Sequence, residues 1–324
     1  MSVRALVSEV DRPDWVEQGA AALQGGVRQA YDALGPAGRP TMDFWHGTWT
    51  GHPLHPILTD VTIGMWMATA VFDVLGTATR DRGLETCARA TITAGLASSL
   101  ATATAGITDW MHLQDHPRRV GFVHALLNIS SVALYGASLL MRRRGRRAAG
   151  RNTAMAGLAV ASTAAYLGSE MAYGLRVGAD HTAGYALPDD WIAVLSEGEL
   201  EENAPRRGGA HGVPGGLVRQ GQEIHALVAT CAHLGGPLDE GHVHDGSIMC
   251  PWHGSRYALR DGRLEHGPSV YWQPALEARV REGRIEVRGA PRPPSRPEWE
   301  SEHAIREYVL EPVGAPVPDG GGER

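Results

Sequence analysis

Three cysteines in 324 residues are too few to staple a secreted fold with disulfides. Lysine is absent altogether, and all thirty basic residues are arginine, a pattern we attribute to genome base composition. An excess of positive charge is also missing. The formal net charge is −6, which argues against a protein that coats nucleic acid. The N-terminus has no basic start, apolar run and small-residue cleavage site, so no secretory leader is read there. With 43% hydrophobic and 20% charged residues, the composition excludes a disordered tail, and it lacks the glycine repeat of a collagen. The length allows about two or three domains.

Long apolar runs are present although the mean hydropathy is only −0.21. Four stretches, 56–75, 90–108, 120–141 and 153–175, each provide the ~20 predominantly apolar residues of a membrane span. They are rich in Ala, Gly, Ser and Thr, which suits close helix packing in lipid and dilutes a hydropathy average. A soluble bundle of buried helices is the competing reading, but soluble helices are usually shorter and keep a polar face. Upstream, Trp15, Val16, Leu23, Val27, Tyr31 and Leu34 recur at helical spacing before Gly35-Pro36. Phe44, Trp45 and Trp49 then form an aromatic cluster of the kind found at a membrane interface.

Arginine sets the expected orientation. Arg80 and Arg82 lie in the first loop, and Arg142, Arg143, Arg144, Arg146, Arg147 and Arg151 in the third. The second holds only Arg118 and Arg119. The positive-inside rule places loops one and three in the cytoplasm and both long termini on the opposite face. That outer face collects His52, His55, Asp60, Asp109, His112, His116, His124, Glu170 and His181, whereas Asp73 falls on the cytoplasmic side. Ionisable residues within a span are functional candidates. His55, His124 and Glu170 are read as a candidate haem b or quinol site. The competing reading makes these residues interfacial groups in water and headgroups.

Downstream the character changes. Residues 177–209 read as a polar linker, and 210–290 as short strands. The strand candidates are 223–229, 246–250 and a hairpin over 278–288 that turns at Glu282-Gly283. Residues 291–324 read as an irregular, Pro-rich tail. The expected organisation is therefore an N-terminal segment (1–50) with an amphipathic helix, an all-α four-helix transmembrane domain (51–176), the linker, and a small all-β antiparallel domain.

The chemistry resides in two runs, Cys231-Ala232-His233-Leu234-Gly235-Gly236 and Cys250-Pro251-Trp252-His253-Gly254-Ser255. They spell C-x-H and, after sixteen intervening residues, C-x-x-H. Zinc sites usually pair like ligands at C-x₂₋₄-C and H-x₃₋₅-H. Here each loop carries one thiol and one imidazole, as in a [2Fe–2S] centre with two His ligands on one iron. Cys231, His233, Cys250 and His253 are the candidate ligands, one cluster per chain. Cys87 reads as a small packed residue.

On these residues the segment 215–288 resembles the Rieske domain family. The resemblance implies a small antiparallel β fold with the cluster at its tip and two partly exposed histidines as the electron exit. The subunits of cytochrome bc complexes carry an extra disulfide between the loops, and Gly236 and Trp252 stand at the corresponding positions, so that bridge is lacking. Ser255 and Tyr257 match the hydroxyl residues that hydrogen-bond cluster sulfur in bc-type proteins. Such bonds raise the potential, placing it intermediate to high within the Rieske span of roughly −150 to +300 mV. Residues 51–176 resemble a family of four-helix bacterial membrane proteins of unknown function, through His52-Pro53-Leu54-His55-Pro56, Asp73, Gly106 with Asp109, and His124.

The residues after Arg288 hold one histidine, His303, too few for the 2-His-1-carboxylate iron site of a ring-hydroxylating oxygenase. The expected function is membrane-bound electron transfer, an oxidoreductase component rather than a self-contained oxygenase. Its one [2Fe–2S] cluster would pass electrons between a membrane donor (quinol or haem) and an acceptor. The alternative is a membrane-tethered, ferredoxin-like redox sensor whose helices only anchor it. The expected location is the bacterial cytoplasmic membrane, multi-pass, with the cluster domain on the extracytoplasmic face. Lipid, quinol or redox proteins are the expected partners, with no nucleic acid.

Overall fold

The computed structural model describes residues 14–290, so the tail expected over 291–324, with His303, lies outside the described residues. Six α-helices precede ten strands: α1 (Asp14–Asp32), α2 (Gly38–His46), α3 (Leu54–Thr79), α4 (Arg82–Trp110), α5 (Asp115–Arg143) and α6 (Arg147–Ser169). The chain divides into two compact units. Among the described residues, one comprises 14–27 and 53–178, and the other 28–52 and 179–290.

In the helical unit, α3 to α6 run 26, 29, 29 and 23 residues. At 1.5 Å per residue each exceeds the ~30 Å of a bilayer's hydrocarbon core. Among the described residues only α3, α4 and α5 are also apolar enough to qualify as spans, three where the sequence predicts four. The fourth, α6, opens on Arg147 and Arg151 and is built largely from Ala, Gly, Ser and Thr. Short connections such as Arg80-Asp81 force sequence neighbours into antiparallel pairs. The Asp81 side chain accepts from the Gly83 N–H at 2.7 Å and caps α4. Ile57, Val61, Met67, Val71 and Val74 form an exposed apolar stripe on α3, as a lipid-facing surface requires. Helical threonines return their hydroxyls to the carbonyl four residues back, as Thr69 does to Met65 (2.8 Å), which satisfies them without water.

The interior of this unit is aromatic and small by turns. Trp66 stacks on Tyr135 with centroids 3.7 Å apart, against Ile92, Leu139, Ala154 and Ala161. Near one end of the bundle, Arg142 is sealed from solvent. It donates to Asp73 at 2.8 and 2.5 Å and to Glu85 at 3.1 Å. The sequence alone assigned Arg142 to an exposed loop; instead α5 continues through Arg143 and turns that side chain inward. Helix α1 packs on the same unit, with the Gln24 amide donating to the carbonyls of Trp110 (3.2 Å) and Leu113 (2.9 Å). Glu17 pairs with Arg118 and Arg119.

The second unit contains β1 (Ile192–Ser196), β2 (Arg206–Ala210), β3 (Val213–Gln220), β4 (Glu223–Val228), β5 (His242–His244), β6 (Ser247–Met249), β7 (Arg256–Ala258), β8 (Leu264–His266), β9 (Ala275–Arg281) and β10 (Arg284–Gly289). A six-stranded sheet has the order β1-β10-β9-β4-β3-β2, and a four-stranded sheet the order β5-β6-β7-β8, with all strand pairs antiparallel. Residues 177–209 are therefore more than a linker, because they supply β1 and most of β2. β1 pairs with β10 and buries Val194 and Leu195 in part against Leu217, Ile285 and Val287. The β9–β10 hairpin turns at Glu282 and Gly283, whose φ values of 52° and 73° match the primed turn that antiparallel strands favour.

Candidate functional site

Two loops of the β unit carry the paired thiols and imidazoles. The first follows β4 and the second joins β6 to β7. They close by the same backbone pattern. In the first, the Gly235 N–H donates to Cys231 O (2.9 Å) and the Cys231 N–H to Gly236 O (2.8 Å). In the second, the Gly254 N–H donates to Cys250 O (3.0 Å) and the Cys250 N–H to Ser255 O (2.9 Å). The glycine that follows each turn has a φ of 77° or 78°, a left-handed backbone that a side chain resists.

This matched pair of turns brings the four side chains together. Cys231 and Cys250 are buried within the core formed by Val218, Leu227, Leu238, Ile248, Tyr257 and Leu259. The two thiols hydrogen-bond one another, which raises the thiol of Cys231 and lowers that of Cys250 to about 7. The rings of His233 and His253 lie edge to face with centroids 5.1 Å apart, and both are partly exposed. Burial lowers the His253 imidazole, helped by the Arg28 guanidinium. Gly236 is required by crowding. A Cβ there would lie 3.0 Å from both Cys250 Sγ and the Trp252 ring, so the positions where the bc-type bridge would run are filled by this contact.

The donor set fits a [2Fe–2S] cluster. The thiols sit side by side in the core and the imidazoles side by side toward solvent, which gives each iron two like ligands. Each loop offers one thiol and one imidazole rather than the like pairs that a tetrahedral zinc site usually takes.

Of the two hydroxyl residues, Tyr257 is fully buried with its OH 3.3 Å from Cys231 Sγ. Burial raises its phenol, and the neighbouring Cys231 adds to that. Ser255 Oγ accepts from the Ser269 N–H at 3.0 Å, which leaves the hydroxyl proton to donate elsewhere. Other residues of the site had no signal in the motif. Gln273, wholly buried, accepts from the Ala232 N–H (3.0 Å) and donates to the carbonyls of Val228 (2.6 Å) and Thr230 (2.7 Å), pinning the first loop. His181 donates its backbone N–H to Ala232 O at 3.0 Å.

In the helical unit the structure brings His55 and His124 together, ring centroids 6.5 Å apart. Each donates from Nδ1 to a helix carbonyl, His55 to Thr102 (2.9 Å) and His124 to Ala164 (2.8 Å). His124 Nε2 accepts from the Asn128 amide at 3.0 Å, so both of its ring nitrogens are engaged. Gly106 lets the α3 and α4 backbones approach over the His55 ring, 2.7 Å from where its Cβ would stand. An axial haem ligand needs a free ring nitrogen, and His124 has none to give. Glu170 lies on the π-helical turn Glu170–Gly174, two residues after Gly168, whose Cβ would stand 3.1 Å from the His124 ring, and its carboxylate folds back over Gly174.

Residues 190–276 match the model of the Rieske [2Fe-2S] domain, and residues 51–184 match a predicted membrane protein family, DUF2231. The β unit is similar to Apoptosis-inducing factor 3 of Mus musculus, 31% identical over 74 residues, which are 23% of this chain and 12% of that protein. The chain thus spans about an eighth of that relative's length. It is also similar to Ferredoxin CarAc of Metapseudomonas resinovorans, 28% identical over 100 residues, 31% of this chain and 94% of that one. Among solved structures, the ferredoxin of carbazole 1,9a-dioxygenase from Nocardioides aromaticivorans IC177 aligns at 26% identity and a TM-score of 0.30, over 32% of this chain and all of that one.

Proposed function

Taking as its premise a chain that joins a Rieske [2Fe–2S] domain to an N-terminal DUF2231 membrane domain, we propose that this protein is a membrane-bound one-electron carrier. It takes electrons from a quinol in the bilayer and delivers them to a protein acceptor. The observation that carries the reading is the pairing of two buried thiols with two partly exposed imidazoles 5.1 Å apart on matched turns. The cluster supplies a reversible one-electron couple. Cys231 and Cys250 would hold one iron inside the core and His233 and His253 the other, with the partly exposed imidazoles as the electron port. Tyr257, 3.3 Å from Cys231 Sγ, and Ser255 would donate to sulfur and favour the reduced, more negative state. Similarity to Ferredoxin CarAc and to the anthranilate 1,2-dioxygenase ferredoxin subunit of Burkholderia cepacia supports the electron-carrier class.

Quinol is favoured over haem as the membrane donor because His124 has both ring nitrogens occupied. His55 Nε2 remains the candidate acceptor for a quinol proton. A quinol gives up two electrons in two single passes and two protons, so a carrier of one electron must turn over twice per quinol. By the positive-inside rule, the arginines of loops one and three support an extracytoplasmic β unit.

Protein purified in detergent should show the absorption and paramagnetic signals of a reducible [2Fe–2S] cluster, and a soluble quinol should reduce it. A cluster that a chemical reductant reduces but quinol does not would favour the alternative, in which the helices only anchor a redox sensor. Absence of iron and sulfide would overturn the proposal.

A further inference from the structure

The segment 28–52 lies far upstream of the cluster loops, yet it belongs to the same compact unit. Within it, α2 lays Asp43 and His46 against the turn that follows β8. Asp43 is 2% exposed. Its carboxylate accepts from the Gly267 N–H at 2.8 Å and from His266 Nδ1 at 3.2 Å. The approach is close: a Cβ on Gly267 would stand 2.9 Å from Asp43 Oδ1 and 3.3 Å from His46. A buried carboxylate is costly unless its oxygens are satisfied, and here both are used on one turn.

That turn leads directly to the hydroxyls at the site. Two residues on, the Ser269 N–H donates to Ser255 Oγ at 3.0 Å. Ser269 Oγ donates to the Tyr271 carbonyl (3.0 Å) and accepts from its N–H (3.2 Å), while Tyr257 OH lies 3.3 Å from Cys231 Sγ. Ser269, Ser255 and Tyr257 are all sealed from solvent, so nothing but protein fixes them.

We infer that Asp43 is a positioning residue for the cluster: it clamps the 266–269 turn so that the Ser269 N–H holds the Ser255 hydroxyl in donating geometry next to Tyr257, and α2 thereby helps to set the reduction potential. This rests on the cluster reading above. It gives the segment ahead of the first membrane helix a redox role that no ligand motif carries.

The test uses the full chain in detergent and a potentiometric titration of the cluster. Asp43→Ala should lower the reduction equilibrium constant about tenfold, a fall of about 59 mV for one electron. Asp43→Asn keeps the shape and one acceptor, and should return the constant to within about threefold of wild type. In a Ser255→Ala/Tyr257→Phe background, Asp43→Ala should add no further shift, because the groups it acts through are gone. Cluster loss in Asp43→Ala with a wild-type potential in Asp43→Asn supports the clamp equally. The inference fails if Asp43→Ala keeps both cluster and potential, if its full shift persists in the double-variant background, or if Asp43→Ala and Asp43→Asn both lose the cluster. A wild-type protein without a cluster would instead sink the underlying reading.

Discussion

The hydroxyl of Tyr257 lies 3.3 Å from Cys231 Sγ, with both side chains closed to solvent. A hydroxyl aimed at a cluster thiolate helps most when the cluster carries its extra electron. Tyr257→Phe removes that donor and keeps the ring volume. A hydrogen bond to a charged group contributes about 1.5–3 kcal/mol, of which only the difference between redox states counts. The potential should therefore fall by about 60 mV, with the cluster retained. Protein-film voltammetry of the two proteins reads this directly, and equal potentials would reduce Tyr257 to a packing residue.

Ligand replacement separates the two irons from a chance grouping. Cys231→Ala and His253→Ala should each purify without iron or acid-labile sulfide, while the β unit keeps its antiparallel far-UV signature. Full iron content in Cys231→Ala would remove that residue from the ligand set. Because Cys87 is exposed and stands outside the two loops, Cys87→Ala should leave iron content unchanged.

How much of this was readable in advance differs sharply between residues. The C-x-H and C-x-x-H spacing is local, so it reports the ligands without any knowledge of the fold. The Glu282-Gly283 turn is local too, since Gly283 readily takes the positive φ that a two-residue hairpin turn requires. Gln273 and Asp43 act across 41 and 224 positions, on Ala232 and Gly267, and a polar residue whose partners are that distant leaves no periodic trace. β2 reads Arg-Arg-Gly-Gly-Ala, poor in strand formers; it is a strand because β3 pairs with it along its length at the sheet edge. Arg142 differs for a related reason: charge alone suggests a loop, and the partners that draw it inside include Asp73 and Glu85, 69 and 57 residues away.

Gln273 pins the first ligand loop with three hydrogen bonds, and Gln273→Ala would leave the Ala232 N–H and two carbonyls buried without it. Each unsatisfied buried group costs about 1–3 kcal/mol. Water entering the gap recovers part of that, so we expect a net loss of about 3 kcal/mol in the β unit. Faster loss of the cluster on warming, followed by its visible absorption, is the measurement. A half-life equal to wild type would show that the two turns hold themselves.

In the helical unit, the buried Arg142–Asp73 pair makes a sharper prediction about charge than about stability. Removing one partner strands a charge away from water, which costs about 3–5 kcal/mol. Asp73→Ala and Arg142→Ala should therefore each lower the thermal midpoint of the detergent-solubilised protein markedly. Replacing both by apolar residues of similar length, Asp73→Leu with Arg142→Met, should recover most of that loss, because desolvating the pair offsets much of its attraction. Glu85 complicates the recovery, since it shares the guanidinium at 3.1 Å and would be left beside an apolar side chain. Adding Glu85→Gln to the double variant should then complete the recovery. If the triple variant stays as unstable as Arg142→Ala alone, the arginine's stem packing against Gly150 and its bond to Ser138, rather than its charge, hold that end of the bundle together.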